Sequence, residues 1–104
     1  MEPLALIEQA MRFARYRAAV LAGDAANAGT PGFVPRDVEP AAQTTERGLR
    51  FAAAMREVDA GGPTGAIEYA MGGIAKNSVW YKALTEQARA MLREFRTVAE
   101  ETRR

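Results

Sequence analysis

Residues 66–98, AIEYAMGGIAKNSVWYKALTEQARAMLREFRTV, place apolar or small side chains at alternating steps of three and four. The stripe runs Ile67, Ala70, Ile74, Asn77, Tyr81, Leu84, Ala88, Met91, Phe95 and Val98. A repeat of this kind marks the seam of a helix packed on another helix, as in a coiled coil. It predicts one long C-terminal helix within residues 66–104. Gly72 and Gly73 fall early in it and predict a bend or a frayed beginning, with a firm start near Lys76.

The other end of the chain supplies a matching stripe. Leu4, Ile7, Met11, Ala14, Ala18, Leu21 and Ala25 alternate in the same way over three heptads, with Arg12, Arg15 and Arg17 off the seam. This N-terminal helix, within residues 1–28, should stop at Asn27-Ala28-Gly29, where Asn and Gly accept a left-handed cap and Pro31 bars continuation.

Between the two helices, residues 29–40 carry Pro31, Pro35 and Pro40 and read as an irregular, extended strap. Thr30-Pro31-Gly32-Phe33 has the chemistry of a tight turn, with Pro at the first central position and Gly at the second. Residues 41–58 return to a helical pattern through Leu49, Phe51, Ala52, Met55 and Val58. Thr44 or Thr45 is its cap, and Gly48 weakens it by about 1 kcal/mol. Asp59 to Gly65 forms a joint. The expected fold is all-α and a single domain: a coiled-coil hairpin of terminal helices, a Pro-rich strap and a shorter middle helix.

Composition narrows the function. The chain has 104 residues, 48% of them hydrophobic but only 8% aromatic. Alanine favours helix yet buries little area, so the core of one isolated copy is thin. With 14 basic against 13 acidic residues, the net charge of +1 gives no field to attract nucleic acid. Arg103 and Arg104 are offset by Glu100 and Glu101 and read as solvated end charges. Met1-Glu2-Pro3-Leu4 is not the start of a cleaved secretory signal, and no apolar run reaches the roughly 20 residues of a membrane span.

Catalytic groups are scarce. There is no histidine and no cysteine, which removes the commonest general base, the commonest transition-metal ligand and the thiolate nucleophile. Ser78 is the only serine and has no base to partner it. Gly61-Gly62-Pro63-Thr64-Gly65 lacks the Lys-Ser/Thr of a phosphate loop and reads as a linker. No catalytic, cofactor-binding or metal site is expected. Two residues keep two readings each. Trp80 either widens the apolar face over this chain's own core or anchors in a neighbouring subunit. Asn77 either fixes helix register from a core position or points to water near a helix start.

The stretch Leu21-Ala22-Gly23-Asp24-Ala25-Ala26-Asn27-Ala28-Gly29-Thr30-Pro31-Gly32-Phe33 resembles a signature of the bacterial flagellar axial proteins. There an N-terminal helix ends in a pattern like L-A-x-N-I-A-N-x-x-T-P-G-Y. Leu21, Ala22, Ala26, Asn27, Thr30, Pro31 and Gly32 match, and Phe33 stands for the tyrosine. Arg36-Asp37-Val38 looks like the R-D-[IV] that continues the motif in the flagellar basal-body rod proteins of the FlgB family. Residues 64–81, with Asn77-Ser78-Val79-Trp80-Tyr81, resemble that family's N-T-V-D-x-x-x-E…N-S-x-x-Y. Asp24 and Ala25 replace its usual Asn-Ile, Gly65 and Ala66 replace Val-Asp, and the middle region is shorter.

The resemblance implies a structural subunit of the proximal rod, exported by the flagellar type III apparatus without a cleaved signal and assembled helically in the periplasm. Implied partners are copies of itself, other rod proteins, the rod adaptor FliE and the export gate or MS ring, with no nucleic acid. Residues expected in assembly contacts are Leu4, Ile7, Met11, Leu21, Asn27, Thr30, Pro31, Gly32, Phe33, Arg36, Asp37, Asn77, Trp80, Tyr81, Leu84, Met91, Phe95 and Val98. The alternatives are a cytoplasmic coiled-coil adaptor that dimerises and stops there, and another small axial protein of the rod and hook families.

Overall fold

A computed structural model describes residues 2–45 and 48–103, with the side chains of residues 3–41 and 52–103; Arg104 lies outside. The element order is α1 (Glu2–Asn27), β1 (Arg36–Thr45), β2 (Gly48–Glu57) and α2 (Pro63–Arg103). At about 1.5 Å per residue the 41 residues of α2 account for most of the 65 Å long axis.

The two helices lie antiparallel. Ile7 packs with Leu84 in one apolar cluster, the Asn77 amide reaches the Ala14 carbonyl, and Leu21 lies over Gly73. On α1 the residues at heptad spacing from Leu4 to Ala25 are all buried or half-buried. Ala10 and Phe13 are also buried, which widens that face beyond a two-position seam. On α2 the buried run is Ala66, Ala70, Gly73, Asn77 and Leu84, while Ile67 and Val98 at the two ends of the stripe are exposed.

The turn after α1 follows from its residues. Phe33 N–H donates to the Thr30 carbonyl at 3.1 Å, and Gly32 takes φ 78°. That is a type II turn, whose third residue must accept positive φ. Further on, Gly61 and Gly62 also take positive φ, and Pro63 opens α2. A proline suits the first helical position because its missing N–H would have no intrahelical acceptor there.

Three expectations are corrected. The fold is not all-α, and among the described residues there is no middle helix: residues 41–58 belong mainly to an antiparallel β-hairpin, in register from Arg36↔Glu57 to Thr45↔Gly48. Leu49, Phe51 and Met55 of the apolar set that suggested a helix also fall, with Ala53, on a period of two, so the pattern did not discriminate. Alanine's helix preference is only a few tenths of a kcal/mol per residue, and anchoring of the hairpin base on the helices overrides it. Second, the strap is extended as expected but not irregular: from Arg36 onward it is regular paired strand. Third, α2 starts at Pro63 and runs without interruption through Gly72 and Gly73. Gly73 lies beneath Leu21 of the facing helix: a Cβ there would stand 2.9 Å from Leu21 Cδ1, whereas one on Gly72 would meet nothing within 4 Å.

Candidate assembly site

The hairpin base is tied to both helices by one buried carboxylate. Asp37, 1% exposed, accepts from Arg17 of α1 through both oxygens, Nε to Oδ1 at 2.9 Å and Nη2 to Oδ2 at 3.0 Å. Tyr69 of α2 donates its hydroxyl to Oδ2 at 2.6 Å, and Val38 N–H donates to Oδ1 at 2.7 Å. Arg56 of β2 donates to the Tyr69 oxygen at 2.9 Å and pairs with Glu39 at 2.6 Å. Four elements therefore converge on Asp37. Burial alone would push its carboxyl up, but the bonds from Arg17, Tyr69 and Val38 outweigh that and hold it below the usual carboxylate range. Burial, and then the bond to Asp37 and its charge, push the Tyr69 phenol up.

A second carboxylate, Asp24, seats the start of β1. Its Oδ1 accepts from Arg36 N–H at 3.0 Å, while Oδ2 is buried with no hydrogen-bond partner. Burial pushes this carboxyl up; the Arg36 bond opposes and the Asp37 charge reinforces the rise. A raised folded pKa means the folded state holds the proton more tightly. The stability it gives is present below the unfolded value of about 3.9 and is lost as pH rises through the folded value. Asp24→Asn keeps an oxygen for Arg36 N–H and removes the charge. Thermal melts should show it at least as stable as wild type at pH 7, by up to about 1 kcal/mol, with the gain gone at pH 3. Equal destabilisation at both pH values would contradict this account.

The residues singled out for assembly divide by where the fold puts them. Ile7, Leu21, Asp37, Asn77 and Leu84 are buried within this chain, and Leu4, Met11, Phe33, Tyr81, Met91 and Phe95 are half-buried. Asn77 takes its core reading: its Nδ2 donates to the Ala14 carbonyl at 2.8 Å, a bond that aligns α1 with α2. Trp80 meets Phe13 edge-on at 6.1 Å, which fits its reading as cover for this chain's own core, and it stays 38% exposed. Tyr81 accepts from Arg15 at 3.2 Å across the helix pair. Asn27, Thr30, Pro31, Gly32, Arg36 and Val98 are exposed. The Asn27 amide is turned back on the Gly23 carbonyl.

Sequence reasoning missed Arg17 and Tyr69. The heptad pattern places Arg17 off the seam, and no local signal links it to a carboxylate 20 positions away.

Past the α1 start, α2 continues alone. Met91 still packs against the Ile7–Ala10–Leu84 cluster, but Leu92 is 47% and Val98 60% exposed on the roughly three turns beyond it. Among the described residues no helix is long and apolar enough to cross a membrane, and no group of His, Cys, Asp or Glu could hold a metal. Compared with protein-family models, with curated proteins and with solved structures, the chain matches none.

Proposed function

We propose that the chain is a structural subunit that assembles helically through its terminal helices, of the kind that builds the proximal rod of the bacterial flagellum. The observation that carries this reading is the last part of α2, where Leu92 and Val98 leave exposed apolar surface beyond the Ile7–Ala10–Leu84 cluster. A helix stripe of this kind stabilises by burial against another helix. Head-to-tail repetition of such a contact generates a filament when the rotation does not close. The motif residues Leu21 to Phe33 supply the link to the rod proteins. On this reading the partners are further copies, other rod proteins, the rod adaptor FliE and the export gate or MS ring. The chain reaches the periplasm through the flagellar export apparatus.

The test is deletion of the gene in its host, with complementation and inspection of purified basal bodies. Leu84 is a poor probe, because it is 9% exposed in the intrachain core and its loss would unfold the hairpin. Val98→Asp is the informative variant. It should retain wild-type helix content and fail to restore rods and swimming, while wild-type chain restores both. Normal rods in the deletion strain, or full rescue by Val98→Asp, would return the chain to a dimerising adaptor.

A further inference from the structure

We propose that the outer edge of β2 pairs with β2 of a second copy, joining two hairpins into one four-stranded antiparallel sheet across a two-fold axis. The case rests on a difference between the two edges of the hairpin. In an antiparallel pair, opposed residues alternate between those that exchange both ladder hydrogen bonds and those whose backbone groups face outward. Val58 N–H donates to the Pro35 carbonyl at 2.9 Å, which sets the parity. With the register Arg36↔Glu57, the outward-facing positions are then the even residues of β1 and the odd residues of β2.

On β1 that edge is closed from its base. Arg36 N–H is taken by Asp24 and Val38 N–H by Asp37. Pro40, the next outward position, has no N–H at all. Proline in a strand is tolerated at such a place because the ladder loses nothing. Only positions 42 and 44 remain, too few to specify a register.

On β2 the outward positions are 49, 51, 53, 55 and 57. None is proline, and among the described residues no group bonds the outward backbone of Ala53, Met55 or Glu57. The side chains of Ala53, Met55 and Glu57 are exposed. Unpaired edges of this length template strand addition unless they are blocked, and a lone two-stranded hairpin is marginal in water. Met55 and Glu57 also line a groove of about 520 Å³ of mixed character, with Val20 and Phe33 beside Asp24, Asn27 and Arg36.

One open edge per chain decides the occupant. The edge a second copy can present is its own β2, which makes the contact isologous. Antiparallel pairing sets the Arg56–Glu57 ends far apart, and Arg56 is already neutralised by Glu39 in its own chain. The small side chains of residues 52–54 allow close approach. A polar filament contains no two-fold between like copies, so this pair is the state of the chain outside such a filament. The inference stands independently of the rod reading, because it is tested on the purified chain.

Sedimentation velocity on the full chain should show a saturating dimer, with the amides of Ala53, Met55 and Glu57 protected from hydrogen exchange only where dimer is populated. Ala53→Pro removes an outward N–H and leaves the intrachain ladder whole, as Pro40 does opposite it. It should weaken dimerisation at least tenfold without loss of circular-dichroism signal. Ala53→Lys, which keeps every backbone group, should do the same and covers the case in which the proline variant misfolds. A wild-type chain that stays monomeric to its solubility limit would overturn the proposal. So would dimerisation unchanged in folded Ala53→Lys, or edge amides protected only by some other protein.

Discussion

Replacing Arg17 with Met should cost about 3–5 kcal/mol of stability at pH 7, the usual consequence of leaving one member of a buried ion pair without its partner. Asp37 would keep the Tyr69 hydroxyl and Val38 N–H, but its nearest guanidinium would be Arg56, at 3.9 Å. Methionine preserves most of the buried stem, so the loss reports the charge rather than packing. The pH dependence distinguishes this from a generic defect. In the wild type the Asp37 pKa is lowered, so its contribution is present above the unfolded value of about 3.9 and is lost as pH falls through the folded value. In Arg17→Met burial dominates, and the ionised carboxylate becomes a penalty. Urea unfolding should therefore show a large difference between variant and wild type at pH 7 that shrinks at pH 3. A difference below about 1 kcal/mol at pH 7, or one equal at both pH values, would remove Asp37 as the tie between hairpin and helices. The loss comes from breaking the pair, and an apolar replacement of the whole cluster could be as stable.

Leu21→Ala is expected to cost about 2–5 kcal/mol, since Leu21 is 0% exposed and its truncation opens a cavity between the helices. The more decisive measurement is its coupling to Gly73. In the wild type, Gly73→Ala gains up to about 1 kcal/mol of helix preference but forces a methyl to 2.9 Å from Leu21 Cδ1, so the two effects oppose. In the Leu21→Ala background the obstacle is gone and the methyl fills part of the cavity. There Gly73→Ala should stabilise by about 1–2 kcal/mol. Gly72→Ala, with open space around it, should stabilise by about 1 kcal/mol or less in either background. A double-mutant cycle from denaturant titrations checks all three; additivity between positions 21 and 73 would mean the helices do not approach as described.

The two predictions concern different links between sequence and fold. Leu21 belongs to a stripe whose spacing is visible in the chain, so its burial against a second helix could be anticipated, although not that Gly73 would be the residue beneath it. Asp37 was visible only as part of a motif and was assigned to contacts with neighbours. Its carboxylate is instead consumed inside the chain by Arg17 and Tyr69. Asn77 shows the intermediate case. Periodicity put a polar group on the seam, and only the position of Ala14 on the facing helix shows which of two roles it takes.

By itself, the order of residues determined what depends on near neighbours along the chain. Heptad spacing marks both long helices, because residues three and four apart share a helix face. Pro31 and Gly32 dictate the type II turn, because their allowed φ values leave few other choices. Tertiary structure alone decided the middle of the chain. Over residues 41–58 the apolar pattern suits strand as well as helix, and local preferences of a few tenths of a kcal/mol per residue cannot choose. The choice falls to a β-hairpin whose base is held by the bonds of Asp24 to Arg36 and of Asp37 to Arg17 and Tyr69, while Pro40 sits at an outward strand position that needs no N–H. Those bonds span 12 to 32 positions of sequence, a distance over which no local pattern carries information.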